Sequence, residues 1–330
     1  NSIFLSFNIL QNQYLDISLT WIGLLNWLPF FWLFWSFQKF LDTQYLRLQC
    51  AKFLILSSIP VLISGFSQFF LKLYGPYKIF FNSIIWYQRP LLENHGVTGM
   101  FNNQNYYGAW LCIILPLCLG FLLKESKNIK LKIFYFFNVI SFVYMTILTT
   151  SRGSILSIIL SLSLIINFKK LKIIRFLIIF IFIAILLTLL INSEFNFKEN
   201  IINLMPSGLI SKINLFEISE IKSFHRIEIW SASIKFIKSN TFLGYGAGSF
   251  SEIYKAFYGD TGQYQHTHNI LLEIAFNYGL PSALLIVLNM IYMLINAFLK
   301  NINFKNFSSP FSFINETWII SFSSFLFIHI

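Results

Sequence analysis

The sequence predicts an all-α polytopic membrane protein, and three observations carry that prediction. Of the 330 residues, 56% are hydrophobic and only 11% charged, where a soluble globular domain carries about 25% charge. Several mainly apolar runs reach the roughly 20 residues that an α-helix needs to cross a hydrocarbon core of about 30 Å. The connections between these runs are alternately rich and poor in Lys and Arg, the pattern of loops sorted by side of the membrane.

About eight runs qualify as spans: 15–36, 53–72, 106–123, 131–149, 153–168, 173–192, 281–299 and 311–330, each bounded by polar or charged residues. Lys39, Arg47 and Lys52 follow the first, Lys124, Lys127 and Lys130 the third, Lys169, Lys170 and Lys172 the fifth, and Lys300 and Lys305 the seventh. Under the positive-inside rule these connections face the cytoplasm. The stretch 73–105, the tight TTSRG turn at 149–153 and the long segment 193–280 then lie on the outer side. The expected organisation is transmembrane helices over 1–192, an outer loop over 193–280 and C-terminal transmembrane helices over 281–330. The chain opens on Asn1 and stops at Ile330 inside an apolar run, so it reads as a piece of a longer protein, cut at both ends.

The net charge of +11 reports this topology and does not call for nucleic acid. Cys50, Cys112 and Cys118 lie in or beside apolar runs without His, Asp or Glu at metal-ligand spacing, and read as packing residues. No metal and no cofactor are expected.

Within the long outer segment, SFHRIEIWSASIKFI at 223–237 places Ile227, Trp230, Ile234 and Ile237 at steps of three, four and three, an amphipathic helix suited to a membrane surface. NILLEIAFNY at 269–278 reads as a second short helix, stopped by Gly279 and followed by Pro281 in the first turn of the next span.

The candidate chemistry gathers on the outer side. His268 stands at the start of the second short helix, where the helix dipole favours the neutral imidazole that can take a proton; it is either a general base or a polar cap. His266 lies one residue into the preceding loop, and two histidines alone make no metal site. Glu273 follows His268 by five positions, roughly 140° around a helix, so a direct dyad is disfavoured and the carboxylate is expected to reach backbone or another loop. Arg152 puts a guanidinium where a short outer loop would avoid charge: either it grips an anion or it snorkels to lipid phosphate. Arg226, ahead of the amphipathic helix, is a second anion candidate or a solvated surface charge. Gly244, Gly246 and Gly248 alternate in GYGAGSF, where glycines let backbone amides approach a phosphate or form a tight loop. Asn102 and Asn105, in GMFNNQNYYG, could bind sugar hydroxyls or cap the third span. Asn269 completes the polar set beside His268.

Five stretches in order, GMFNNQNYYGAWL (99–111), SRG (151–153), HRIEIW (225–230), G-x-G-x-G (244–248) and HTHNILLEIAFNYGLPS (266–282), resemble the O-antigen ligase and polymerase superfamily of bacterial membrane glycosyltransferases. The resemblance covers about residues 52–300. It implies a multi-pass inner-membrane enzyme whose site faces the periplasm and which moves a glycan from a polyprenyl diphosphate donor to a glycan, lipid or protein acceptor, without metal. It implies that Arg152 and Arg226 grip the diphosphate and that His268 accepts the proton. The first spans of a full-length member are missing from this chain. An O-antigen or exopolysaccharide polymerase is an alternative within the superfamily. A carrier or flippase for lipid-linked sugars is an alternative of another class, but it would place ionisable groups near the midplane, and those in the spans, chiefly Asp16, Arg175, Glu316 and His329, all lie near an end.

Overall fold

A computed structural model describes residues 17–86, 88–91, 95–124, 128–168, 225–259, 264–301 and 312–329. The expected span at 173–192 with its Arg175, the stretch 193–224 and Asp16 lie outside the described residues. The described chain is mostly helical: α1 (Ile17–Phe37), α2 (Gln44–Phe70), α3 (Gln104–Lys124), α4 (Ile129–Leu148), α5 (Arg152–Phe168), α6 (His225–Ser239), α7 (Phe250–Tyr258), α8 (Ile270–Tyr278), α9 (Leu280–Asn301) and α10 (Ser312–His329). Four of these, α2, α3, α4 and α9, are long and apolar enough to cross a membrane, while α5 and α10 are shorter apolar helices.

The all-α expectation needs one addition. Residues Tyr77–Ile79 (β1) and Ile84–Trp86 (β2) form an antiparallel ribbon in which Tyr77 faces Trp86 and Ile79 faces Ile84. These are β-branched and aromatic residues, favoured in strands, but three per strand is too short a run to show an alternation in the sequence. The ribbon is tied down where the Trp86 indole donates to the Met100 carbonyl at 2.8 Å.

The helices fall into two compact units, one drawn from Leu41–Ile218 and Lys300–Ile328, the other from Asn1–Phe40, Ser219–Leu299 and the last two residues. In the first unit α3 is central and packs against α2, α4 and α5. A helix apolar on all sides belongs in such a place, and Leu111, Ile114, Leu115 and Leu117 are wholly or almost wholly buried. Polar side chains join the apolar helices: Trp110 donates to Ser58 Oγ at 3.1 Å, and Ser157 Oγ of α5 donates to the Ser324 carbonyl of α10 at 3.1 Å. Such links and small residues hold helices together where hydrophobic burial discriminates poorly.

The unit has two chemically different ends. At one, Arg47 of α2 bonds Asn315 of α10 at 3.0 Å and Phe121 of α3 meets Phe313 of α10 at 5.5 Å between ring centroids, so this end carries Arg47, Lys52 and Lys124. Helix α2 begins at Gln44, capped by Thr43 Oγ1 accepting from Leu46 N at 3.2 Å. It starts nine residues before the run read at 53–72, because apolarity marks only the part of a helix that suits lipid, and Arg47 and Lys52 sit in its first turns. At the other end, wholly buried Gln68 accepts from the amides of Thr98 and Gly99 at 2.9 and 3.0 Å and donates to the Arg89 carbonyl at 2.8 Å. The Val97 amide donates to the Leu148 carbonyl at 3.0 Å, and this end carries Asn102, Asn105 and Arg152.

The second unit is built on Ile229, Phe236, Phe250, Ile274 and Phe276, with Phe276 against Phe250 at 5.1 Å and Phe236 at 6.0 Å, both edge to face. Helix α6 is present where the sequence places it, but its buried face is different. Ile229, Ala232, Ser233, Phe236 and Ile237 point inward, whereas Ile227 and Ile234 are 46% and 44% exposed. Of the three-four-three stripe, Ile237 is buried and Trp230 half-buried, and packing against α8 turns the neighbouring Ile229, Ala232, Ser233 and Phe236 inward in place of Ile227 and Ile234.

Candidate functional site

The sequence HTHN is shaped around Thr267, which is wholly buried. Every polar group of Thr267 is engaged. Its amide donates to Glu273 Oε2 at 2.8 Å, its carbonyl accepts from the Trp230 indole at 3.0 Å, and its hydroxyl donates to the Asn269 carbonyl at 2.8 Å. A buried backbone group must find a partner, and here the partners come from α6, α8 and the loop itself. With Thr267 turned inward, His266 and His268 are set on either side of it, their rings edge to face at 5.3 Å between centroids.

Helix α8 is capped by Asn269, whose Oδ1 accepts from Leu271 and Leu272 amides at 2.9 and 3.1 Å. His268 therefore does not cap the helix. It has φ +56°, a left-handed conformation that costs a non-glycine residue on the order of 1 kcal/mol and that clusters at functional sites. His268 is exposed as a residue, yet partial burial of its ring lowers its pKa below the usual 6.5, with His266 and then Arg226 adding repulsion. The expected direction is present, but burial is its leading cause and not the helix dipole.

Glu273 does not reach His268. Its second oxygen accepts from Asn277 Nδ2 at 3.2 Å, so the carboxylate braces the loop and the helix to each other. Spacing places Trp230 on an apolar face of α6, and its indole N–H is what holds the Thr267 carbonyl. A threonine two residues before an Asn cap was the signal in the sequence for such a loop.

In the glycine loop, Gly244, Gly246 and Gly248 have φ of +69°, +91° and +77°. The amides of Tyr245 and Gly246 donate to the Phe276 and Asn277 carbonyls at 2.8 and 2.9 Å, closing the C-terminal end of α8. A side chain at Gly244 would meet the Asn277 carbonyl carbon and oxygen at 2.6 Å. These amides are spent on protein carbonyls, and the glycines serve the close passage of the loop over α8.

Arg226, His266, His268, Asn269, Glu273 and the three glycines thus belong to one unit. Arg152, Asn102 and Asn105 belong to the other. There, half-buried Arg152 opens α5 behind the buried turn Thr149–Ser151. Asn103 Oδ1 accepts from the Asn105 amide at 2.8 Å and caps α3, leaving Asn102 exposed beside it. Among the described residues no group of three His, Cys, Asp or Glu is close enough to hold a metal ion.

No curated protein matches the chain. Residues 136–287, from within α4 to within α9, match the family model described as O-antigen ligase, and the chain is similar to that family over the stretch that contains Arg152, the whole HTHN loop and the glycine loop.

Proposed function

We propose that the protein is a multi-pass glycosyltransferase of the bacterial inner membrane, with about eight spans in this chain and its site on the periplasmic face. It moves a glycan from a polyprenyl diphosphate to an acceptor hydroxyl. The observation that carries this reading is His268: it is released from capping by Asn269, held in a costly backbone conformation by Thr267, and biased toward the neutral form. A residue used only to end a helix needs none of these. The end carrying Arg47, Lys52, Lys124, Lys130 and Lys132 holds a small excess of cations over the end carrying Lys72, Lys78, Arg89 and Arg152, which supports the orientation by the positive-inside rule.

In the proposed reaction His268 takes the proton from the acceptor hydroxyl as its oxygen attacks the anomeric carbon. The bond from that carbon to the diphosphate oxygen breaks, the anomeric configuration inverts, and the polyprenyl diphosphate leaves with the bonding electrons. Arg226, near enough to His268 to depress its pKa, and Arg152 are assigned to the diphosphate, where guanidinium forks meet the developing charge. Asn102, Asn105 and His266 are assigned to sugar and acceptor hydroxyls. Asn269, Glu273 and the glycine loop position the base.

The test is transfer from a polyprenyl-diphosphate glycan in membranes containing the protein, wild type against His268→Ala, with protein level checked. Loss of capping of a lipid or protein acceptor identifies a ligase, and loss of glycan lengthening a polymerase. Full activity in the variant overturns the assignment.

A further inference from the structure

A cavity of about 380 Å³ opens in the first unit at the end that carries Arg47, Lys52 and Lys124, away from the Arg152 turn. It lies between the starts of α2, α4 and α10 and the last turn of α3. Its walls include Ile55, Leu131, Phe134 and Phe313, and among the described residues the only charged ones lining it are Lys52 and Lys124. Leu131, 42% exposed, places one wall at the outer surface of the bundle, so the space communicates sideways with whatever surrounds the helices.

A soluble anion has no use for apolar walls, and an uncharged lipid has no use for two ammonium groups. Even with Glu316 ionised within electrostatic range of Lys124, the two lysines leave a net positive charge. Basic pockets between helices on the cytoplasmic side suit anionic lipid headgroups, and the volume lies within the range of small-molecule sites. We infer that this cavity binds one anionic phospholipid, its phosphodiester between Lys52 and Lys124 and the beginning of an acyl chain against Ile55, Leu131 and Phe134. The site is separate from the donor site proposed above and does not depend on it.

The experiment is native mass spectrometry of the full-length protein in mild detergent, titrated with phosphatidylglycerol, phosphatidylcholine or inorganic phosphate. Phosphatidylglycerol is expected to saturate one site at a concentration about 25-fold below phosphatidylcholine, roughly fivefold for each lysine. K52Q/K124Q abolishes that preference, while K130Q/K132Q, which removes two exposed lysines at the same end outside the cavity, keeps it. L131W fills the space without altering charge, and is expected to lose the bound lipid whether or not the lysine variant folds. Equal retention of the two lipids, an unchanged preference in both K52Q/K124Q and L131W, or displacement of phosphatidylglycerol by equimolar phosphate overturns the inference, the last by showing a site for a free anion.

Discussion

The rings of His266 and His268 meet edge to face at 5.3 Å across a Thr267 that is wholly buried. Two imidazoles this close cannot both be protonated without repulsion, so the pair is biased toward at least one neutral ring. With the pKa of His268 below 6.5, the acidic limb of a plot of kcat/KM against pH is expected below the ordinary histidine range. His266→Ala removes a cause of the depression and moves that limb upward; Arg226→Ala does so by less, since it is the weaker cause. Limbs that coincide in all three proteins would remove His268 from the proton transfer. The same shift has a stability sign. Its folded pKa is below its unfolded one, so the unfolded chain binds the proton better, and stability falls as pH drops through the interval below 6.5.

Both carboxylate oxygens of Glu273 are engaged by the loop and its helix, and Ala and Gln substitutions distinguish this bracing from a role of the charge itself. Glu273→Ala leaves the buried Thr267 amide without an acceptor, a cost of about 1–3 kcal/mol. Hydrogen exchange at residues 264–269 is expected to quicken, and kcat to fall with the loss of a placed His268. In Glu273→Gln, the new side-chain oxygen still accepts from Thr267. Its amide can donate to Asn277 Oδ1, which is buried without a partner in the native protein, once the Asn277 amide turns over. Exchange and kcat are therefore expected to stay near wild type; if Gln is as damaging as Ala, the carboxylate charge has a further role.

Gly96 is the closest approach in the Arg152 end of the bundle: an added Cβ would stand 1.8 Å from the Thr149 carbonyl oxygen. Gly96→Ala is expected to separate the 95–99 strand of chain from the Thr149 turn and to lower thermal stability by the several kcal/mol of a steric lesion without room to relax. Gly153→Ala is its control. Nothing lies within 4 Å of that added carbon, the residue is helical, and alanine is the better helix former by up to about 1 kcal/mol. Equal melting temperatures for the two variants would contradict the contact.

Arg152 and metal independence can be tested together in the transfer assay. Arg152→Ala is expected to raise the KM for the lipid diphosphate donor and lower kcat, and Arg152→Lys to restore only part of either, because lysine lacks the two-pronged fork. Inserted protein, measured by membrane fractionation, should be unchanged. Chelation by EDTA is expected to leave wild-type transfer intact; activity that disappears with the chelator and returns with a divalent cation would give the diphosphate a different partner.

The helices of the bundle were legible because their apolar runs are long and their flanks charged. Helix α8 was legible for another reason, as Asn269 and Gly279 bracket it with a cap at each end. What escaped depended on contacts distant in sequence. The inward face of α6 is chosen by α8, some forty residues on, and the ribbon at 77–86 declares itself only through its pairing. The backbone of His268 could not be read at all, for its φ is imposed by a threonine fixed from both sides by Trp230 and Glu273. Composition located the histidines; only the fold showed that their neighbour had taken over the cap.

The Gln68 amide holds Arg89, Thr98 and Gly99 together, Val97 is hydrogen-bonded to Leu148, and Gly96 lies on Thr149. The stretch bearing Asn102 and the turn bearing Arg152 are consequently parts of one stiff block, and neither can swing without the other. If Arg152 receives the diphosphate as proposed, that anion meets a surface whose ordering entropy was already spent when the chain folded. Under that proposal, recognition at this end is a matter of fit to a fixed template, and analogues that differ in shape should be rejected at the moment of encounter instead of being accommodated and released.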